Sequence, residues 1–320
     1  MIELVGIPSI LVYFVTFAGI FGLLTLGLNL QWGSTGLFNI GIAGFFAVGA
    51  YASAILTTDA SESYLGGAGL PFIVGMVGAM LVSGVVALII GLITLRLRAD
   101  YLAISTIGIA EILRLVLKNE GWLTNGVRGI AGIDKPWADL LGAGWAQIVF
   151  LAVVLTALGL VYVAFERAHR SPWGRVLRAI RENEATAQAS GKNVVRFRME
   201  AFVLGSMIMG LAGGLYAHFF GFISPEAFEP ELATFLIWVM LIAGGSGNNR
   251  GAILGAFVVW MIWSGTELLT NRLPADMATQ AGALRLLLIG VLLQVILLTR
   301  PEGILGGRKR RRQPAPTPDD

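Results

Sequence analysis

IVGMVGAMLVSGVVALIIGLITL, residues 73–95, decides the fold. These positions carry no charge, and their apolar residues show no period of two. As a helix rising 1.5 Å per residue they extend about 35 Å, enough to cross a hydrocarbon core of about 30 Å. A barrel strand would instead alternate over about ten residues. Stretches of the same character recur along the chain, with expected spans near residues 9–30, 36–57, 70–95, 100–118, 145–166, 199–221, 232–247, 251–270 and 283–299. The stretch 232–247 is short, and Gly244, Gly245 and Gly247 suggest a broken or half-crossing helix there.

The composition agrees. Of 320 residues, 56% are hydrophobic and 13% charged, with a mean hydropathy of +0.76. Soluble domains carry about 25% charged residues, so the fold class is all-α, a polytopic transmembrane helical bundle. A net charge of +3 does not indicate nucleic-acid binding, because the basic residues sit beside hydrophobic spans. With no cysteine in the chain, a disulfide framework, thiol catalysis and cysteine-ligated metal are excluded. Residues 1–8 contain Glu3 and neither Lys nor Arg, so they lack the positive region of a secretory signal, and the first apolar stretch is expected to be retained.

Charge sets the orientation. The link with Arg96 and Arg98, the loop 167–198, the turn at Arg250 and the tail from Arg300 together hold 17 of the 23 Lys and Arg residues. The positive-inside rule therefore predicts the N-terminus outside and the C-terminus inside, which nine spans satisfy. The outer loop 119–144, rich in Gly and holding Pro136, reads as a turn-rich cap. In the inner loop, Ser171 is an N-cap candidate and Pro172 suits the first helical position, predicting one uninterrupted helix over residues 173–190 that ends at Gly191. Val176, Leu177 and Ile180 share a face, while Arg175, Arg178, Arg181, Glu182 and Glu184 populate the rest. Such a helix lies in the headgroups, packs back on its own chain, or docks on a partner. Mixed charge favours a folded protein partner over lipid.

The run GRVLRAIRENEATAQASG, from Gly174 to Gly191, resembles the cytoplasmic coupling loop of LivM-type permeases of branched-chain amino acid ABC importers. The resemblance continues in GLNLQWGSTG at 27–36, FFAVGAY at 45–51, YLAIST at 101–106 followed by Glu111 and Arg114, TNG at 124–126, and GGSG at 244–247 with Gly251 and Gly255. The sequence departs from the family pattern at Ile42 and Ala252, where relatives often carry histidine and proline. The resemblance implies two related halves and a type II importer-like permease domain over residues 1–307, with 167–198 cytoplasmic, 119–144 periplasmic and a basic, then disordered, tail over 308–320. It also implies a homologous permease, two ABC ATPase subunits and a periplasmic substrate-binding protein as partners, in a bacterial inner membrane, with no cofactor. Coupling to the ATPases falls on Gly174, Arg175, Arg178, Arg181, Glu182, Glu184 and Gly191.

Elementary chemistry is consistent with that assignment. No G-x-x-x-x-G-K-S/T phosphate loop is present; Gly191-Lys192-Asn193 lacks both the earlier glycine and the hydroxyl, so the chain is not the ATPase. An ion-coupled secondary transporter or channel is the alternative, and it would need buried acids near the midplane. Glu111 is the one acid well inside a hydrophobic span, and it stands three residues before Arg114. A structural ion pair, a substrate-path residue and an ion carrier all remain open for it.

Gly210 with Gly214, Gly251 with Gly255, and Ala43, Ala47, Ala50 and Ala54 allow close helix packing. The polar, glycine-dense stretches 29–41 and 244–251 require cover by protein or a wet cavity at membrane depth. They make Asn29, Gln31, Ser34, Thr35, Asn39, Gly244, Gly245, Ser246 and Gly247 candidates for the translocation path and gate, joined by Tyr101, Ser105, Thr106 and Glu111. His169 and His218 lack a ligand set and read as loop and interfacial residues, His218 in an outer aromatic belt with Tyr216, Phe219 and Phe220. The tail Arg308 to Arg312 is expected to anchor at anionic lipid.

Overall fold

Hydropathy becomes helix almost throughout. The computed structural model describes residues 3–229, 233–270 and, beyond those, 284, 287–288, 290–291, 294–296, 298–299 and 302–306. The expected span 283–299 falls largely outside the described residues, and the tail 308–320 wholly so. The long elements are α1 (Glu3–Leu28), α2 (Ile42–Thr57), α3 (Phe72–Thr94) and α4 (Ala99–Asn119). After the short α5 (Gly121–Thr124) come α6 (Ala138–Arg170), α7 (Pro172–Glu182), α8 (Glu184–Ala189), α9 (Val194–Phe220), α10 (Phe235–Gly244) and α11 (Asn249–Thr270).

Four segments among the described residues are long and apolar enough to cross a membrane, namely Ser9–Gly33, Phe72–Thr94, Gly144–Arg170 and Val194–Phe220. The element at 232–247 is a ten-residue helix, α10, about 15 Å long, so it reaches half-way through such a core. The predicted span 36–57 is helical only from Ile42; residues 36–41 run without helix. Exposed Ile73, Val77, Leu81, Val85, Leu88 and Leu92 give α3 an apolar outer stripe that water would not tolerate and lipid would.

Helix α9 is the centre. It packs against α1, α2 and α3, with Phe202 and Met209 fully buried. Close approach is possible because small residues line the crossings: a Cβ on Gly49 of α2 would strike the Gly210 backbone of α9. The α10–α11 hairpin is equally tight, since a Cβ on Gly244 would meet the Gly251 carbonyl and lie 3.0 Å from the Gly255 Cα. The glycine pairs named from sequence are thus helix-packing positions.

The ends of the bundle differ. At one end α6 stops at Arg170 and α9 starts at Val194, with α7 and α8 between them; Leu177 and Arg181 of α7 reach Leu30 and Gly33, just past α1, and Arg181 lies against Gly247, just past α10. At the other, β1 (Ile130–Ala131) pairs antiparallel with β2 (Phe222–Ile223), and a 3-10 turn, Pro225–Phe228, returns the chain into the bundle, where Phe228 packs on Phe46 and Tyr51. The cap expected over 119–144 is ordered by α5, the turn Gly126–Arg128 and β1, and α6 begins within it at Ala138, bent at Gly142. The short half-helix α10 is finished by distant chain. Ile304 and Leu305 donate backbone N–H groups to the Ala243 and Gly244 carbonyls at 2.8 and 2.9 Å, satisfying acceptors a helix terminus leaves open.

Candidate functional site

The two polar stretches, separated by about two hundred residues, meet at the α7 end of the bundle. Past Leu28 the α1 backbone widens into a π-helical turn, Asn29–Gly33. This turn brings Asn29 against the loop after α10: its Nδ2 donates to Asn249 Oδ1 at 2.9 Å, and its Oδ1 accepts from the Gly247 N–H at 2.8 Å. Asn249 continues the chain of bonds to Glu166 Oε2 at 3.3 Å, and Glu166 pairs with Arg170 at 2.8 Å. Gln31 uses both ends of its amide. Its Nε2 donates to the Phe202 carbonyl at 2.9 Å and to Ser206 Oγ at 3.1 Å, while Oε1 accepts from Asn39 Nδ2 at 2.8 Å.

Deeper in, Asn39 Oδ1 accepts from the Gly41 N–H at 2.7 Å, the Ile40 N–H donates to Thr106 Oγ1 at 3.0 Å, and Trp238 Nε1 donates to the Asn39 carbonyl at 3.2 Å. The non-helical backbone of 36–41 is thereby paired and covered by protein, as a segment at membrane depth must be. Asn29, Gln31, Ser34, Thr35, Asn39 and Thr106 are all buried; Thr35 Oγ1 bonds the Gln31 carbonyl, and Ser34 Oγ lies 3.5 Å from that of Asn29. Gly245 and Gly247 take positive φ values of 114° and 87°, the turn that lets the loop fold back, with Ser246 half-exposed at its tip. The arrangement is a buried polar knot that ties the 29–41 and 244–251 loops together.

The surface helix has one notable correction. It is two helices, because Asn183 is extended (φ −157°, ψ 102°) and its side chain caps α8 by accepting from the Thr186 N–H at 3.0 Å. Ser171 does cap α7, with Pro172 in the first turn, and Gly191 ends α8 at φ 78°. Leu177 and Ile180 are buried against the bundle, Leu177 with Leu30 and Ala201, Ile180 with Ala187 and Val194. Val176 is half-buried beside them. Gly174 is packed on the last carbonyls of α6, where no side chain fits.

The charged residues of α7 and α8 divide. Arg178 donates to the His169 carbonyl at 2.9 Å, Glu184 pairs with Arg198 at 2.8 Å, and Arg181 bonds the Gly33 carbonyl. Arg175 lies with Nη1 3.5 Å from the Arg170 carbonyl, and Arg175, Arg181, Glu182 and Glu184 are all exposed, Arg178 half-buried.

The other candidates stand apart from the knot. Glu111 and Arg114 form a two-pronged pair, at 2.6 and 2.9 Å, on a partly exposed face of α4; Tyr101 is exposed on that helix and Ser105 half-buried. His218 is not in a surface belt. It is 1% exposed, with Nε2 3.1 Å from Ser53 Oγ and Nδ1 2.8 Å from the Asp134 carbonyl. The aromatic sequence around it suggested an interface, but its hydrogen-bond partners lie on α2 and in the 119–144 segment. His169 belongs to the last turn of α6. A cavity of about 500 Å³ at the far end, lined among others by Tyr13, Phe150, Phe219 and Lys135, contains none of the candidate path or coupling residues. Sequence reasoning missed Glu166, whose i+4 partner Arg170 looks like an ordinary exposed pair, and did not single out Asn249 within its stretch.

Apolar helices around a buried polar knot, with an amphipathic helix bound across one end, define a multi-pass helical membrane protein with no catalytic constellation among the described residues. Residues 10–297 match the family model described as branched-chain amino acid transport system / permease component, and the chain belongs to that family. It is 32% identical to the high-affinity branched-chain amino acid transport system permease protein LivM of Salmonella typhimurium, over 91% of this chain and 68% of that protein. It is 30% identical to the probable branched-chain amino acid transport permease protein LivM of Methanocaldococcus jannaschii, over 93% of each. The LivH permease protein of the Salmonella system is 22% identical, over 91% of this chain and 93% of that one. No solved structure matches the chain.

Proposed function

We propose that this chain is a permease subunit of an ATP-driven ABC importer for branched-chain or related amino acids, moved by partner ATPases that dock on α7 and α8. The observation that carries the reading is the two-sided character of α7. Its Leu177–Ile180 side is anchored in the bundle, and Arg175 and Glu182 are exposed, where a charged partner can reach them. A rod so anchored transmits a push as a rigid-body tilt of the attached spans, which is how a differential contact with two partner states becomes alternating access.

In this reading residues 1–307 form one transmembrane domain of nine spans in a bacterial inner membrane, N-terminus out and C-terminus in. The loop 167–198 is cytoplasmic, 119–144 periplasmic, and 308–320 a cytoplasmic tail. The partners are a homologous permease, two ATPases and a periplasmic binding protein. The knot around Asn29 and Gly247 is the inner gate, and Gly174 and Gly191 bound the coupling segment. The Glu111–Arg114 pair faces protein or the solute path rather than lipid, where a half-exposed carboxylate is costly.

Reconstitution tests the function. Proteoliposomes holding this chain with its cognate permease, ATPases and binding protein should take up leucine, isoleucine or valine only with ATP inside the compartment where the ATPases sit. Complete, gradient-driven uptake by this chain alone would overturn the reading in favour of a secondary transporter.

A further inference from the structure

Arg181 differs from the other charged residues of α7 in where its tip goes. The residue is exposed, yet its Nη1 donates to the Gly33 carbonyl in the π-helical turn. The same atom abuts Gly247: a Cβ placed there would lie 2.7 Å from Nη1 and 3.3 Å from the Gly33 oxygen. The aliphatic part passes Gly36, whose Cβ position is 3.7 Å from the Arg181 Cγ. One guanidinium thus lies where α7, the stretch after α1 and the loop after α10 converge. Glycine occupies each facing position, so the tip meets bare backbone.

We propose that Arg181 is a positioning residue for transport, a clasp that holds the 29–41 and 244–251 loops together and lets go when α7 is displaced. The role rests on the reading of α7 as the contact for partner ATPases. A planar guanidinium bonded to a backbone carbonyl makes a directional, charge-assisted contact that a shift of α7 along its axis removes. Among the described residues, the side-chain hydrogen bonds that join the two loops behind the clasp are neutral amide ones, Asn29 to Gly247 and to Asn249, so its release leaves contacts of ordinary strength.

The absence of native cysteine makes the test direct. Ser34, 3% exposed beside the clasp, is replaced by cysteine in the full chain, and its maleimide labelling rate is measured in membranes with and without Arg181→Gln. The clasp predicts labelling about tenfold faster in Arg181→Gln, the scale of one lost charge-assisted bond. Arg181→Lys, which keeps the charge on a flexible stem, should give an intermediate rate, and Arg175→Gln on the outward side should give none of the effect. In the reconstituted complex Arg181→Gln should lose ATP-driven uptake while the partner ATPases continue to hydrolyse ATP. An unchanged Ser34→Cys rate in Arg181→Gln overturns the clasp. Failure of the functional reading looks different, with the labelling change intact but no ATP-driven uptake by the wild-type complex, and it removes the transport role.

Discussion

Gln31 has no polar atom to spare. Replacing it with Leu leaves Asn39 Nδ2 and Ser206 Oγ without their Gln31 partner in a fully buried site, while the Phe202 carbonyl, inside α9, keeps its helical bond. Each orphaned group costs about 1–3 kcal/mol, so Gln31→Leu should lower the melting temperature in detergent well below wild type, whereas Gln188→Leu on the exposed face of α8 should not. An unchanged transition for Gln31→Leu would mean the amide is dispensable. At this scale the sequence was partly legible. A glutamine and two asparagines among glycines in a hydrophobic region announce a covered polar cluster. Their partners were unreadable, because Gln31 and Phe202 stand 171 positions apart and no local pattern encodes that pairing. His218 shows the same limit, since the nearby aromatics were visible in sequence and Ser53 was not.

The connecting segments at the two ends of the bundle respond to different perturbations. At the α7 end, Asn183→Ala removes the α8 cap, which costs about 1 kcal/mol, and faster amide exchange over residues 184–189 should report it while α7 stays protected. Uniform protection across 184–189 would show that packing of Ala187 alone holds α8. The split at Asn183 was legible in principle, because asparagine competes with the helix interior by bonding nearby backbone, but the lack of any Gly or Pro between Gly174 and Gly191 concealed it.

At the β1–β2 end, Glu226 of the 3-10 turn is held below the ordinary carboxylate range chiefly by its own backbone N–H, with the Ser224 hydroxyl and the Lys118 ammonium, 3.5 Å away, adding to the effect. A depressed carboxylate contributes stability above its unfolded value and loses it as pH falls through the folded one. Amide exchange over residues 225–228 should therefore be flat from pH 7 down to about 5, after correction for intrinsic rates, and rise on further acidification. Glu226→Gln should abolish that rise; persistence of the rise would assign it to another group.

For the whole molecule, orientation is the decisive property. A cysteine at Glu182 should react with a membrane-impermeant maleimide only in inside-out vesicles, and one at Arg128 only in intact cells with a permeable outer barrier. Labelling of the Glu182 position from outside would invert the topology and remove any route by which cytoplasmic ATPases reach α7. Hydropathy marked most of the helices of the bundle, because lipid imposes its thickness on every span. It overstated regularity at 36–41, where the chain runs without helix, whereas the shortness and glycines of 232–247 already pointed to the half-helix α10. Convergence of the two polar stretches beneath α7 is a tertiary fact that neither stretch declares.

The half-helix α10 carries a lesson about biogenesis. Its final carbonyls, at Ala243 and Gly244, are satisfied by Ile304 and Leu305, some sixty residues further on. During synthesis that stub must therefore wait, with its acceptors bare, through the making of the whole hairpin partner and everything up to position 305. Maturation of the knot end is thus a late event, so a ribosome stalled before residue 304 should leave a nascent chain whose α10 terminus is still open to protease or chaperone.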